Sequence, residues 1–144
     1  MKENAMKIVI VLIASVILGS CVKGDENMFG KQKFKLRPEQ IKPIATGHGS
    51  CLATNMITID GKPVNFMYRE EPDNENDSGW RFFTGLEDDE YINNPKNTQI
   101  YDVNTIANYD KDIIPYLNSP IKTAYERNPQ TGKIEQVLDF EFEE

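Results

Sequence analysis

Short runs of apolar residues, separated by polar turns, make up most of the chain beyond its N-terminal part. Residues 51–59 are apolar and β-branched, and the Asp60-Gly61 pair that follows is typical of a hairpin turn, so a strand and a turn are predicted there. Apolar and polar side chains alternate over 64–69 with the two-residue period of a half-buried strand. After a polar loop, residues 79–84 predict a third strand.

The second half of the chain predicts helices as well as strands. The acidic segment 87–92 suits the first turn of a helix, where carboxylates meet the positive end of the helix dipole. A short helix is predicted over 103–108, because Val103, Ile106 and Ala107 share one face. Further strands are predicted at 100–103, 124–126 and 134–142, the last two forming a closing hairpin. Together these elements predict a single α+β domain over 46–144, a mostly antiparallel sheet with one or two short helices packed on it.

The N-terminal residues have the pattern of a bacterial lipoprotein leader. Residues 8–18 form an uncharged run that is apolar except for Ser15, and it is shorter than the roughly 20 residues that span a bilayer. The sequence LGSC at 18–21 resembles the lipobox, in which the cysteine is lipidated after cleavage. We therefore predict a signal peptide over 1–20, a lipid anchor on Cys21, and a flexible tether and lead-in over 21–45. An ordinary secretory leader and a helix that stays inserted are the alternatives.

Length and charge exclude several functional classes. A chain of 144 residues has room for one ordinary domain. With 16 basic and 23 acidic residues, its net charge of −7 argues against a general nucleic-acid binder, which needs a basic surface for the phosphates. The chain has only 2 cysteines, so it has no disulfide framework, and a lipidated Cys21 would leave Cys51 as the free thiol.

Few residues have a pattern that indicates catalysis or metal binding. His48 and Cys51 are close in sequence, but a nucleophilic pair also needs an orienting group, and a histidine between glycines is typical of a solvated loop. The acidic run 73–77 contains the carboxylate and amide side chains that are typical of a calcium-binding loop. However, Ser78 and Thr84 stand where a calcium loop of the EF-hand type has glycine and glutamate. The many carboxylates of 70–90 make chance pairs inevitable. We predict no catalytic residue, no metal site and no cofactor.

A partner-binding surface is the remaining expectation. Tryptophan and arginine are common at the centres of interfaces, and Trp80 and Arg81 adjoin acidic segments. Strand alternation places Trp80 on one face and Arg81 on the other. The predicted partner-binding residues are Arg69, Glu70, Glu71, Asp77, Trp80, Arg81, Glu87, Asp88 and Asp89. Two alternatives to partner binding stay open. Trp80 is favoured as a core anchor, and Arg69 and Arg81 could pair with acidic neighbours of the same chain instead of facing a partner.

Two stretches of the chain carry a family resemblance. Residues 64–91 contain FMYRE, DSGWRF and ED, and residues 101–128 contain NTI, YD and AYER. This pattern resembles the immunity protein 33 family of bacterial toxin-immunity proteins over roughly 47–128. Lys111 and Lys122 are departures, at positions where proline and glycine are common in the family. The resemblance implies a role in neutralising a toxin and assigns no site residues.

The expected function is therefore that of a membrane-anchored immunity protein that binds a protein toxin and occludes it. Its acidic surface would favour encounter with a basic partner. The expected location is the bacterial cell envelope, on the periplasmic face or at the cell surface. The alternatives are an envelope hydrolase that acts on glycans through paired carboxylates, and a generic envelope binding lipoprotein.

Overall fold

A six-stranded sheet forms the centre of the structure, a computed structural model that describes residues 33–143. The strands are β1 (Ser50–Thr54), β2 (Phe66–Arg69), β3 (Asp77–Phe83), β4 (Thr98–Asp102), β5 (Thr123–Arg127) and β6 (Ile134–Gln136). The helices are α1 (Asn55–Thr58), α2 (Asp89–Asn93) and α3 (Val103–Tyr109), with 3-10 turns at Pro38–Gln40, Pro95–Asn97 and Lys111–Tyr116.

The strands are arranged in the order β4-β1-β3-β2-β5-β6. β1 and β3 run parallel, whereas every other neighbouring pair runs antiparallel. The connection from β1 to β2 therefore does not form a hairpin, because β3 lies between these two strands. The predicted α+β class, with a mostly antiparallel sheet and short helices, is confirmed.

The first face of the sheet is covered by α3 and the 3-10 turn that follows it. Val103, Ile106 and Ala107 are completely buried, as their helical spacing predicts. They belong to the same apolar cluster as Trp80 and Phe82 of β3, whose rings stack with centroids 5.9 Å apart. Each large side chain buried here stabilises the fold by about 1.5–3 kcal/mol.

The second face carries another apolar cluster, which includes Phe66, Tyr68 and Phe83. It is covered by α2 and by residues 137–143, which we call the C-terminal segment. The ring of Phe140 lies 5.3 Å from that of Tyr68 and 5.5 Å from that of Phe66. Because both faces are covered, β2 and β3 are buried on both sides instead of being half-buried.

Two predictions for the first strand are wrong. Residues 55–58 form α1, so the strand predicted over 51–59 ends at Thr54, and Asp60-Gly61 closes a helical turn instead of a hairpin. The buried Asn55 side chain donates to the carbonyl of Lys96 at 2.8 Å and accepts from Gln99 at 2.9 Å. A short apolar run cannot distinguish helix from strand by its period, and these tertiary hydrogen bonds favour the helix.

The other strand predictions hold with altered limits. The closing hairpin is present, but β6 ends at Gln136, and the residues after it turn onto the second face. The lead-in lies against α3: the side-chain oxygen of Asn104 accepts from Ile44 and Ala45, and that of Asn108 accepts from Lys42. None of the helices within 33–143 is sufficiently long and apolar to cross a bilayer. The predicted signal peptide and Cys21 lie outside the described residues.

Candidate partner-binding site

Arg81 organises the most highly charged part of the domain. It lies on the second face of the sheet and is only 1% exposed. Its Nε donates to Oε1 of Glu70 at 2.7 Å, and its two terminal nitrogens donate to the two carboxylate oxygens of Asp77 at 2.9 and 2.8 Å. A further hydrogen bond of 3.2 Å reaches Asp73. The buried cation is thus paired with three carboxylates, which offsets the cost of removing it from water.

The carboxylates around Arg81 differ in acidity. Burial raises the pKa of Glu70 above its usual value, because attraction to Arg81 offsets the loss of solvent only in part. Burial also acts to raise the pKa of Asp77, but hydrogen bonds from Arg81 and from two backbone N–H groups lower it below its usual value. As the pH falls, Glu70 therefore takes up a proton before Asp77 does.

The segment 70–77, which we call the acidic loop, is held in one conformation by local hydrogen bonds. The side chain of Asn74 accepts from the backbone of Asn76 and Asp77. Asp77 in turn accepts from the backbone of Asp73 at 2.9 Å and of Gly79 at 3.0 Å. Gly79 has a φ of +85°, and a Cβ there would clash with the carbonyl oxygen of Glu70. The DSGWRF sequence therefore needs its glycine for the close packing of this loop.

A polar cleft of about 420 Å³ lies beside the acidic loop. One wall is the turn of Gly47, His48 and Gly49, and the other is formed by acidic-loop residues including Glu75. Asp102, at the end of β4, completes the lining. The carbonyl of Asn76 accepts from the backbone and the hydroxyl of Ser50 at 2.7 and 3.1 Å, which fixes the loop to β1. The cleft is open and lined mainly by polar groups.

Trp80 and Arg69 are both held by contacts within the domain, Trp80 fully buried and Arg69 partly buried. Trp80 is completely buried, and its Nε1 donates to the carbonyl of Leu117 at 3.1 Å, so the core-anchor interpretation describes its position. Arg69 donates to the carbonyls of Ser78 and Ser119 at 2.8 and 2.7 Å, and its guanidinium lies 5.9 Å from the Trp80 ring. Neither Trp80 nor Arg81 offers its side chain to a partner on the surface of this conformation.

The remaining predicted site residues lie at the other end of β3. Oε1 of Glu87 accepts from the backbone of Thr84 at 2.8 Å and from the hydroxyl of Thr54 at 2.7 Å, so it closes a turn. Asp88 caps α2 by accepting from Tyr91 at 2.8 Å, and Asp89 is exposed. The 7 residues of β3 extend over roughly 20 Å. The predicted set therefore divides into two separate acidic regions and a buried group between them.

The described residues give few groups in a state suited to chemistry. Cys51 is 1% exposed, and burial raises the pKa of its thiol, so it is a poor nucleophile. Within 33–143, no three of the His, Cys, Asp or Glu side chains come together in a group that could hold a metal ion. A second small cavity beside Arg81 and Ile100 has a volume of about 30 Å³, roughly that of a water molecule.

Sequence reasoning identified part of this arrangement. It left open whether Arg69 and Arg81 pair internally, and the structure places both in internal contacts. It did not connect Asp102 with the acidic loop, because residues far apart in sequence meet only through the strand order. For the packing of the acidic loop against β3, the sequence did contain a signal: Gly79 lies inside a strand pattern, where a glycine often marks a close approach of another backbone segment, here that of Glu70.

Comparison with known proteins identifies the family of this domain. Residues 51–138, more than half of the chain, match the model of the immunity protein Imm33 domain. No curated protein and no solved structure matches the chain. The match includes every strand except the first residue of β1, and it contains the acidic loop, Arg81 and α2. The chain therefore belongs to the Imm33 immunity protein family, whose general function is immunity and whose general partner is a toxin.

Proposed function

We propose that this protein neutralises a protein toxin by binding it and covering the surface that the toxin needs for its action. Membership of the Imm33 family supports an immunity function and suggests a non-enzymatic role. The net charge of −7 supports a basic partner, because complementary charge raises the rate of encounter.

The observation that carries the proposal is the acidic loop held by the buried Arg81. The loop presents exposed Glu71 and Glu75, of which Glu75 lines the polar cleft, on a backbone fixed by Asn74 and Asp77. A surface that is already ordered before binding loses little conformational entropy when a partner docks. This arrangement favours recognition of a partner over conversion of a substrate.

The lipid anchor is the second part of the proposal. The lipobox-like LGSC sequence at 18–21 supports lipidation of Cys21 and a location in the cell envelope, at the periplasmic face or the cell surface. Mass spectrometry of the N-terminal peptide and membrane fractionation of the Cys21→Ser variant test it. We expect acylated Cys21 in the parent and release of the variant from membranes. An unmodified Cys21 at the mature N-terminus would remove the anchor from the proposal.

Neutralisation is tested with a candidate toxin taken from the genes that neighbour this protein's own gene, which we call the neighbouring toxin. Co-expression should restore growth of cells that produce the toxin, and the purified proteins should form a complex in size-exclusion chromatography. An unrelated toxin of similar isoelectric point provides the control for unspecific charge attraction. Failure of the wild-type protein to bind or protect against the neighbouring toxin would overturn the proposal.

An envelope hydrolase is the second candidate, and the opposite pKa shifts of Glu70 and Asp77 are the observation in its favour. Both carboxylates are hydrogen-bonded to Arg81, however, and the small cavity beside Arg81 has no room for a sugar ring. The larger polar cleft is lined by Asp77 but not by Glu70, so the two carboxylates do not face it as a pair. Turnover of envelope glycans by the purified protein, with loss of that turnover in Glu70→Gln, would support the hydrolase and contradict occlusion.

A further inference from the structure

The two edges of the sheet differ in how well they are protected. β4 forms one edge and β6 the other. β4 pairs with β1 over five consecutive residues without a register shift. β6 has 3 residues, and its first carbonyl, that of Ile134, accepts from the hydroxyl of Tyr116 at 3.1 Å. An edge strand whose outward N–H and C=O groups are not blocked is a ready site for pairing with another chain.

The register shows which backbone groups of β4 point away from the sheet. Val103 donates its backbone N–H to Gly49 at 2.9 Å, so this pair is a hydrogen-bonded one. Such pairs alternate along an antiparallel ladder, which directs the backbone of Tyr101 and Gln99 towards β1. The N–H and C=O groups of Ile100 therefore point outwards, on a side where the sheet of the described residues has no further strand.

The side chains of β4 leave this edge accessible. The strand, TQIYD, contains neither proline nor lysine, the residues that commonly block pairing at an edge. Ile100 at its centre is 62% exposed, so its side chain is accessible to an apolar residue of a partner. Ile100 also lines the small cavity beside Arg81, and Asp102 at the end of the strand lines the polar cleft. Accessible backbone, an exposed apolar side chain and an acidic end thus lie along one edge.

We propose that the toxin binds by adding an extended strand to the free edge of β4, the side on which no strand within residues 33–143 pairs with it. Backbone hydrogen bonds to Ile100 would supply affinity, and its exposed side chain would contact an apolar residue of the added strand. The added strand would carry a basic residue near Asp102 and Glu75, at the end of the edge beside the acidic loop. A second copy of this chain is disfavoured as the occupant, because it carries the same net charge of −7. This inference rests on the proposed neutralisation of a toxin.

Two substitutions at Ile100 test the edge. Ile100→Pro removes an outward N–H without removing a hydrogen bond to β1, and Ile100→Lys introduces the charge that natural edges use against pairing. The matched control is Gln136→Pro, which makes the same change at the other edge of the sheet. The backbone N–H of Val137 donates to the carbonyl of Ala124, so this pair is hydrogen-bonded, and the backbone of the preceding residue, Gln136, points away from β5. The probe is the toxin encoded beside this protein's gene, with affinity measured by calorimetry and folding checked by circular dichroism.

We expect both Ile100 variants to bind the toxin about tenfold or more weakly and Gln136→Pro to bind it like the wild type. Hydrogen exchange adds a measurement that needs no variant: the Ile100 amide should exchange rapidly in the free protein and slowly in the complex. Normal toxin binding by folded Ile100 variants, or an Ile100 amide that stays unprotected in the complex, would overturn the edge inference while neutralisation stands. Slow exchange in the free protein would also overturn it, because another part of the chain or a second copy would then cover β4. Failure of wild-type binding would instead contradict the proposed function.

Discussion

Two buried polar side chains on the second face are satisfied to different degrees. Arg81 donates hydrogen bonds to three carboxylates, whereas the hydroxyl of Tyr68, on the neighbouring strand, has no hydrogen-bond partner among the described residues. Tyr68 is completely buried, with its ring stacked against Phe83 and Phe140. The ring therefore contributes packing, while the hydroxyl loses its hydration without compensation.

Replacing Tyr68 with phenylalanine should stabilise the domain by about 1 kcal/mol, because it removes an unsatisfied buried hydroxyl and keeps the ring. Urea unfolding at pH 7 measures this. The matched control is Tyr125→Phe, which removes a hydroxyl that shares a 2.7 Å hydrogen bond with Ser119 and should cost about 1 kcal/mol.

The same variant changes the response to alkali. Burial raises the pKa of Tyr68 in the folded state above 10, the value for an unfolded tyrosine. Below pH 10 the hydroxyl is protonated in both states, and above it only the unfolded tyrosine ionises readily, so the free energy of unfolding falls as the pH rises. The free energy of unfolding should thus decline less steeply above pH 10 in Tyr68→Phe than in the wild type. Equal slopes for the two proteins would contradict burial of this hydroxyl.

Arg81 should be the most costly single charge to remove. Arg81→Met keeps much of the side-chain volume but leaves Glu70 and Asp77 without their cation, and loss of one partner from a buried ion pair costs about 3–5 kcal/mol. Arg37→Met makes the same change in an exposed pair with Glu39 and should cost less than about 1 kcal/mol. Chemical unfolding compares them, and similar losses for both variants would refute the structural role of the Arg81 cluster.

Lys122 shows the physical consequence of a departure from the family pattern. Its φ of 63° lies in the left-handed region, where glycine is favoured. Lys122→Gly should therefore stabilise the domain by about 0.5–1 kcal/mol through relief of strain. Lys111→Gly, at the other departure, lies in a 3-10 turn without positive φ and should destabilise it by a similar amount. Thermal unfolding of the two variants should move in opposite directions, and a shift in the same direction would contradict the backbone argument.

At the scale of elements, the local sequence pattern was sufficient to predict which side chains are buried wherever apolar residues followed a clear helical or strand period. The helical spacing of Val103 and Ile106 predicted the buried face of α3, and alternation in β3 placed Trp80 and Arg81 on opposite faces. The sequence pattern failed for α1, where hydrogen bonds from distant residues decide the conformation. It also could not show that β1 pairs with β3 and β4, and the acidic loop, cleft and free edge all depend on that order.

The C-terminal segment covers the second face of the sheet, a role that the sequence pattern did not predict. Its alternating aromatic residues have the period of a strand, but Phe140 instead covers the rings of Phe66 and Tyr68. Phe140→Ala should cost about 2–3 kcal/mol, since the side chain is only partly buried. The control Leu138→Ala changes a residue that is 87% exposed and should alter stability by less than about 0.5 kcal/mol. Equal effects in urea unfolding would show that the segment does not cover the second face in solution.

At the scale of the whole molecule, the acidic side chains of residues 70–90 lie at the two ends of β3. Residues 70–90 contain nine acidic residues and a single basic residue, Arg81. The acidic loop lies beside Asp102 and the free edge of β4, whereas Asp89 and Glu90 lie beyond the opposite end of β3. Only the first of these regions adjoins the proposed docking edge at its acidic end.

This asymmetry predicts how charge directs the encounter with the toxin. The double variant Glu71→Gln/Glu75→Gln should reduce the association rate about threefold to tenfold at low salt, because it removes two exposed charges of the acidic loop, where Glu75 lines the cleft shared with Asp102 of β4. Asp89→Asn/Glu90→Gln removes the same charge at the opposite end and should change the rate less than twofold. Stopped-flow mixing with the neighbouring toxin measures these association rates. At about 0.5 M salt the difference in rate between the two double variants should disappear, because screening shortens the distance over which either acidic region attracts the toxin. If the two double variants slow association equally, net charge alone attracts the toxin; if the second slows it more, the toxin first approaches the Thr98 end of β4, which follows α2, and not the Asp102 end beside the acidic loop.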